Sequence, residues 1–167
     1  MHHHVRAKQP NSEMCMVCGI ENPFGLGASF YELDNDELLG IFHPAQEHQG
    51  YPGRLHGGLA AAILDETMGR AISVINEGDI WGVSVKLTTR FRKPIPLDED
   101  IRAVARITKD SKRFFEGTGE ILLSDGSIAV EGCGRYLKSS LNRIISLDVN
   151  LLWKVISTAD DPLEVEF

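Results

Sequence analysis

Apolar side chains follow two different periods along this chain, and each period predicts a different kind of element. Over residues 57–76, apolar groups occur around nearly the whole circumference of a helix. A helix that is apolar on every side is normally buried on every side. We therefore expect one long buried helix over 57–76, ended at "NEGD", where Gly78 is a suitable C-cap.

The segments that flank this helix alternate between apolar and polar residues, which is typical of strands. Long strands are predicted over 81–91, 100–108, 113–123 and 128–138. The turn "SDGS" joins the last two into a hairpin. In the first strand, Val83, Val85 and Leu87 are expected to share one face. Before the helix, "ASFYEL" and "LLGIFHP" predict a shorter hairpin around "DNDE", and residues 45–54 contain enough turn residues to form a loop.

This order of elements predicts an α+β fold in which one antiparallel sheet wraps around one buried helix. A chain of 167 residues suffices for one domain, which we assign to 15–140. Residues 1–14 are polar and expected to be flexible, and the opening "MHHH" is left out of the fold reasoning. The spacing of apolar residues over 141–156 predicts an amphipathic helix, so 141–167 is expected to pack on the domain as a helix and tail.

Composition and charge restrict the possible partners. The chain is 43% hydrophobic and 25% charged, as in ordinary soluble proteins. It has no apolar run long enough for a membrane span and no visible signal peptide, so a cytoplasmic location is expected. A net charge of −7 argues against nucleic-acid binding. Cations nevertheless gather in "RFRKP" and "KDSKR", which fits either a small phosphorylated ligand or a protected strand edge.

The three cysteines do not form a disulfide framework. Cys15 and Cys18 make a single CxxC, whereas a structural zinc site needs four ligands. His43, His48 and His56 could complete such a set in principle, although none has the spacing of a zinc finger. We therefore expect no metal site and leave the role of the CxxC open, while Cys133 is expected in the core of a strand.

The helix begins with "HGG", which can bind a developing negative charge. The first N–H groups of a helix have no partner inside it, and the helix dipole makes this end partly positive. Gly57 and Gly58 let another molecule approach the backbone closely, so one of their N–H groups could hold an acyl carbonyl. The alternative is that the glycines only permit tight packing at the start of the helix.

Two adjacent carboxylates lie further along the same helix. Asp65 and Glu66 point about 100° apart, so one site can use only one of them. Either acid faces a functional cavity or it forms a buried ion pair, for which Arg70 is the candidate partner of Glu66. Asp65 lies roughly 12 Å along the axis from Gly57. Both ends of the helix can therefore serve one reaction only if a second, antiparallel copy supplies one of them.

Three segments together resemble a known family. "HGGLAAAILDE", with "QGYPG" before it and "GVSVKLTTRFRKPIPLDEDI" after it, is similar to the PaaI-like acyl-CoA thioesterases, which have the hotdog fold. "CMVCGIENPFGL" resembles the N-terminus of one bacterial branch. The resemblance covers about 15–138. It implies a long antiparallel sheet around a central helix, dimers that pair into tetramers, sites at dimer interfaces, and an acyl-CoA substrate without a separate cofactor.

The resemblance also implies roles for individual residues at the helix start and its neighbours. Gly57 would polarise the thioester carbonyl through its backbone, and Gly58 would shape the turn. Asp65 of the partner chain would act as general base or nucleophile. Ser84 would orient the water, and His56 would fix the region around the thioester.

Further residues would contact the rest of the substrate. The cations expected near the CoA phosphates are Arg92, Lys93, Lys112 and Arg113. Related enzymes often carry Asn or Gln six residues before the histidine, where this chain has Gly50. Gln49 or Glu47 could replace that residue after a small shift of the loop.

Two other activities remain as alternatives. The first is a non-catalytic acyl-CoA-binding or regulatory hotdog module, which would bind CoA esters without releasing thiol. The second is an enoyl-CoA hydratase on the same fold. A hydratase would need an Asp and a His a few residues apart, and no His follows Asp65 at short spacing.

Overall fold

The computed structural model describes residues 2–76, 80–145 and 153–167. The strands are β1 His2–Lys8, β2 Asn11–Ser12, β3 Ser29–Leu33, β4 Leu38–Phe42, β5 Trp81–Phe91, β6 Ile101–Asp110, β7 Phe114–Leu122, β8 Ile128–Ser139, β9 Trp153–Lys154 and β10 Glu164–Glu166. The helices are α1 Gly57–Arg70, α2 Ile72–Ile75 and α3 Leu141–Ile144, with a 3-10 turn at Gln46–His48. The main sheet has eight antiparallel strands in the order β10-β1-β3-β4-β6-β7-β8-β5, and β2 pairs separately with β9.

The predicted central helix is confirmed as α1 with its short continuation α2. α1 packs against β4 to β8, and Ile63, Leu64 and Met68 have no exposed surface. Each such side chain contributes about 1.5–3 kcal/mol on burial. The expectation of burial on every side was wrong, because Gly57 and Gly58 are exposed and Asp65 is only half-buried. The expected cap at Gly78 lies outside the described residues.

β5 is the edge strand of the sheet, and its inward face changes along its length. Ser84 pairs with Tyr136, but the next pair is Lys86 with Arg135, so the register shifts at Val85. This bulge inserts one residue and reverses the alternation. Leu87 therefore packs on the core, whereas Val83 and Val85 are exposed. The predicted shared face of these three residues was wrong, because a period-2 pattern does not reveal a bulge.

The N-terminal segment is more ordered than its polarity predicts. His2–Lys8 forms β1, which pairs with both β3 and β10 inside the main sheet. The strand joins the sheet through backbone hydrogen bonds, which need no apolar side chains. Residues 2–8 therefore belong to the sheet, and over this range the expected flexibility of 1–14 was wrong.

The C-terminal segment does not form the predicted long helix. α3 ends at Ile144, and Trp153 and Lys154 form β9, while residues 146–152 lie outside the described part of the chain. Trp153 packs against Trp81, with ring centroids 4.8 Å apart, and against the guanidinium of Arg70. These long-range contacts determine the position of Trp153, and a helical period cannot reveal them. No helix in the described ranges has the length and hydropathy needed to cross a membrane.

Candidate active site

Asp65 lies at the centre of a hydroxyl-lined site on the inner face of the sheet. The Ser84 hydroxyl is 2.8 Å from both of its carboxylate oxygens. The Tyr136 hydroxyl is 3.1 Å from one of those oxygens and 3.2 Å from the Asp65 backbone carbonyl. Two neutral donors therefore orient this carboxylate, and it keeps further lone pairs for a reacting group.

Close approach between helix and strand positions this group. A Cβ on Gly82 would lie 3.1 Å from the Gly69 carbonyl oxygen and 2.6 Å from the Phe115 ring. Only glycine at position 82 allows β5 to lie so near the helix. Because Ser84 follows two residues later on the same face and pairs with Tyr136 in the adjacent strand, both hydroxyls reach Asp65.

Tyr136 is the residue that sequence reasoning missed. Its ring stacks on Phe115 with centroids 4.9 Å apart, and its side chain is fully buried. Burial and the neighbouring Asp65 carboxylate raise the pKa of its phenol well above the usual value, so the hydroxyl stays protonated and donates. A tyrosine at an inward position of an otherwise apolar strand face was the available signal, since a buried phenol needs a partner.

Glu66 points into a different environment from that of its neighbour. One of its oxygens accepts a hydrogen bond from Arg70 Nε at 2.9 Å, and the other lies 3.2 Å from Cys15 Sγ. Arg70 is buried and packs against the rings of Phe30, Trp81 and Trp153. The ion-pair interpretation of Glu66 is therefore confirmed.

The start of α1 has one N–H group free for a ligand. His56 caps the helix, because its Nδ1 accepts from the Gly58 N–H at 2.9 Å. Leu59 and Ala60 donate to the His56 carbonyl. Among the described residues, no hydrogen bond joins the exposed Gly57 N–H to an acceptor. His56 thus fixes the turn and occupies the Gly58 amide, while Gly57 offers its own.

The loop before the helix holds Gln49 and exposes Glu47, the two residues predicted to replace an amide at Gly50. The Gln49 side chain accepts from the Gly53 N–H at 3.2 Å, so it is held within the loop. Glu47 is exposed on the 3-10 turn. Gly50 packs closely on His56, since a Cβ there would lie 3.2 Å from the His56 Cα. A longer side chain at Gly50 would need the histidine to move.

The four predicted phosphate-binding cations fall into two separate pairs. The backbone N–H groups of Arg92 and Lys93 donate to Ala129 at the start of β8. The Arg113 carbonyl accepts from Lys138 near its end, and Lys112 is adjacent. About 30 Å of strand separates the pairs. Arg92 also forms a bidentate ion pair with Glu131, at 2.9 and 2.7 Å, so these cations form no single patch in one chain.

Gly57 and Asp65 of α1 lie near opposite ends of β5. Asp65 contacts Ser84 near the start of that strand, whereas Gly57 lies against the Phe91 ring at its end. A cavity of about 240 Å³ opens beside Asp65 and is lined by Ser84, Trp81 and Cys15, among others. Cys133 was expected in the core, but it is exposed on the opposite face of the sheet.

Sequence comparisons identify relatives of the domain that carries this site. Residues 52–130 match the model of the Thioesterase superfamily. Acyl-coenzyme A thioesterase THEM4 of Mus musculus is 37% identical over 118 residues, which are 68% of this chain and 50% of that protein. Acyl-coenzyme A thioesterase 13 of Homo sapiens is 36% identical over 67 residues, which are 40% of this chain and 47% of that protein. The chain spans about half the length of the curated relatives it matches.

Solved structures share the fold. A thioesterase superfamily protein is 27% identical, with a TM-score of 0.67 over 74% of this chain and 59% of that chain. A thioesterase from Haemophilus influenzae is 15% identical, with a TM-score of 0.66 over 74% and 86% of the two chains. The PaaI protein of E. coli, from the phenylacetic acid degradation operon, is 16% identical, with a TM-score of 0.61 over 69% and 81%. The predicted hotdog fold is confirmed.

Proposed function

We propose that this protein hydrolyses acyl-CoA thioesters to a free acid and CoA, since residues 52–130 match the Thioesterase superfamily. The observation that carries the proposal is the Asp65 carboxylate, oriented by Ser84 and Tyr136 beside an open cavity. The names of the two curated thioesterases support the same substrate class. No separate cofactor is needed, since CoA is part of the substrate.

The complete site uses two copies of the chain, related by a two-fold axis. Edge strand β5 exposes Val85 and Phe91, with 58% and 54% of their surfaces accessible. An unpaired strand edge with apolar side chains favours pairing with another strand. If two β5 strands pair antiparallel, the start of one lies beside the end of the other. Asp65 of one copy then approaches Gly57 of the second, as the spacing along α1 requires.

The same pairing places the two separated pairs of cations near one bound substrate. The turn that carries Lys112 and Arg113 lies at the end of the sheet where β5 begins, since Trp81 pairs with Ser139. Arg92 and Lys93 follow the other end of β5. Antiparallel pairing brings the second pair of one copy toward the first pair of its partner. Both pairs can then attract the phosphates of a CoA bound between the copies.

In the proposed reaction, the Gly57 N–H holds the thioester carbonyl and stabilises the negative charge that develops on its oxygen. Asp65 accepts a proton from a water that the Ser84 hydroxyl helps to orient, and the hydroxide attacks the carbonyl carbon. The carbon–sulfur bond then breaks, the CoA thiolate takes up a proton, and the acid leaves. We also propose that dimers pair into tetramers, while the expected cytoplasmic location stays a prediction.

Thiol release from a panel of CoA esters tests this proposal. Short aliphatic, long aliphatic and aryl-acetyl esters are incubated with the wild type and with Asp65→Asn, and free CoA is measured with a thiol reagent. We expect hydrolysis of at least one class and a fall in kcat of roughly 10²- to 10⁴-fold in the variant. Equal rates in the two proteins would remove Asp65 from the mechanism.

The loop before α1 favours one alternative, a non-catalytic module that binds acyl-CoA. Gln49 is held by Gly53, and Gly50 offers no side chain at the position where related enzymes often carry an amide. Calorimetry distinguishes this alternative, because it predicts binding of CoA esters with no release of thiol by the same preparation.

A further inference from the structure

A second cluster of reactive side chains lies where α1 packs on the N-terminal segment, and two of its members line the same cavity as Asp65. We call Cys15, Cys18 and Glu66 the thiol cluster. One donor atom from each of the three lies within 4.8 Å of the other two. Cys18 is fully buried and Cys15 is half-buried. The hydrolysis proposed above uses none of these groups.

The backbone of the CxxC turn is shaped to hold its two sulfurs together. The Gly19 N–H donates to the Cys15 carbonyl at 2.9 Å and closes the turn. A Cβ at position 19 would lie 2.3 Å from that carbonyl oxygen, so only glycine fits after the second cysteine. The motif "CMVCG" therefore forms a hydrogen-bonded turn that requires glycine at its last position.

Hydrogen-bond donors converge on the two sulfurs. The Val17 N–H points to Cys15 Sγ at 3.3 Å, and the Ser12 N–H points to Cys18 Sγ at 3.5 Å. Arg70 Nη2 adds a third donor, 3.2 Å from Cys18 Sγ. A neutral thiol is a weak acceptor, whereas an ionised or metal-bound sulfur accepts such donors well.

We propose that Cys15, Cys18 and Glu66 bind a divalent metal ion of the zinc class. In a tetrahedral site with Zn–S of about 2.3 Å and Zn–O of about 2.0 Å, neighbouring ligand atoms lie roughly 3.5–3.8 Å apart. The observed 3.2 Å between Cys15 Sγ and Glu66 Oε2 is close to that edge length. The adjoining 240 Å³ cavity, lined in part by Cys15 and Glu66, admits water as the fourth ligand.

Arg70 completes the site as a residue that positions the ligands. Its Nε holds the other oxygen of Glu66, which leaves Oε2 to face the thiols. Such hydrogen bonds behind the ligands are a regular feature of metal sites. Two thiolates and one carboxylate around a divalent ion carry one net negative charge, which the guanidinium balances. Binding releases the two thiol protons to solvent.

This inference departs from the expectation that the chain has no metal site, which rested on spacing along the sequence. Glu66 is far from the CxxC in sequence, and only the packing of α1 on the N-terminal segment brings the third ligand in. The proposed ion joins that segment to the helix through three protein ligands and keeps one position open for water.

Metal binding by the reduced protein tests the proposal. The chain is reduced, stripped with a chelator, and titrated with Zn²⁺ against a chromophoric chelator, and with Co²⁺ while the visible and near-ultraviolet spectrum is followed. We expect one ion per chain and a thiolate-to-cobalt charge-transfer band. Cys15→Ser and Glu66→Gln should each weaken binding roughly 10- to 100-fold or more, and Cys15→Ser should reduce the band. Cys133→Ser is the matched control and should bind as the wild type does.

Two results would overturn the proposal. One is equal Zn²⁺ affinity in the wild type and Cys15→Ser, which would place the ion elsewhere. The other is a reduced wild-type protein that takes up no ion. If mass spectrometry then finds a Cys15–Cys18 disulfide after reoxidation, the turn is a redox pair. Circular dichroism of each variant separates loss of a ligand from loss of the fold.

Discussion

Asp65 and Glu66 are adjacent in sequence and half-buried, yet their surroundings differ in kind. Asp65 receives hydrogen bonds from two hydroxyls and faces an open cavity. Glu66 accepts a hydrogen bond from the buried guanidinium of Arg70 and lies beside the Cys15 thiol. The difference follows from the helix period, which turns neighbouring side chains about 100° apart.

This contrast shows how one helix can present one carboxylate for catalysis and hold the next in an ion pair. Neutral donors orient a carboxylate without neutralising it, so it can still accept a proton from water. A buried cation fixes its partner strongly but removes it from such chemistry. The order of the two acids in "DET" therefore matters, because exchanging them would put the ion-paired carboxylate beside the hydroxyls of Ser84 and Tyr136.

In the proposed dimer Asp65 acts together with a second copy while Glu66 does not, so within this comparison breaking the dimer should have the largest effect. Val85→Lys places a charge on the exposed edge of β5, which opposes strand pairing. We expect a monomer in light scattering and a fall in kcat/KM of about 100-fold or more, since each copy then has only one end of the site. Leu163→Lys, also at an exposed apolar position, is the control. A monomer with full activity would contradict the shared site.

A second large effect should appear at Arg70, on the Glu66 side. Arg70→Met keeps most of the side-chain volume but leaves the half-buried Glu66 carboxylate without its cation. Breaking a buried pair in this way costs about 3–5 kcal/mol in the free energy of unfolding, measurable by urea denaturation. Arg90→Met is the control, because Arg90 is exposed and lies 3.9 Å from Glu131, so it should cost less than about 1 kcal/mol. Equal losses in the two variants would mean that burial of the pair is unimportant.

The sequence was sufficient for the features that depend on local pattern. The period of α1, the strand runs and the ion-pair alternative for Glu66 with Arg70 all follow from spacing within a few residues. It was not sufficient where distant residues meet. The bulge at Val85, the strand at His2–Lys8, the hydroxyl of Tyr136 at Asp65 and the separation of Arg92 from Arg113 all depend on strand register. Register is set by how the strands pack together and by the turns that join them, so one strand read alone does not determine it.

A smaller effect is expected at Ser84, on the Asp65 side. Ser84→Ala removes one hydrogen bond to a charged group, worth about 1.5–3 kcal/mol, so kcat should fall roughly 10- to 100-fold. KM should change little, because the hydroxyl contacts the carboxylate and not the substrate. Ser84→Thr keeps the hydroxyl and should recover most of the activity. Equal losses in the alanine and threonine variants would exclude the hydroxyl as the cause.

The smallest effect should come from Tyr136→Phe, which removes the second donor while keeping the ring stacked on Phe115. Ser84 still holds both oxygens of Asp65 and its bond is the shorter one, so we expect kcat to fall only about 3- to 10-fold, which corresponds to about 1 kcal/mol. A loss of stability with unchanged kcat would assign Tyr136 to packing alone. Ser84→Ala combined with Tyr136→Phe should lose more than the sum of the single effects in free energy, because either donor alone can still orient Asp65.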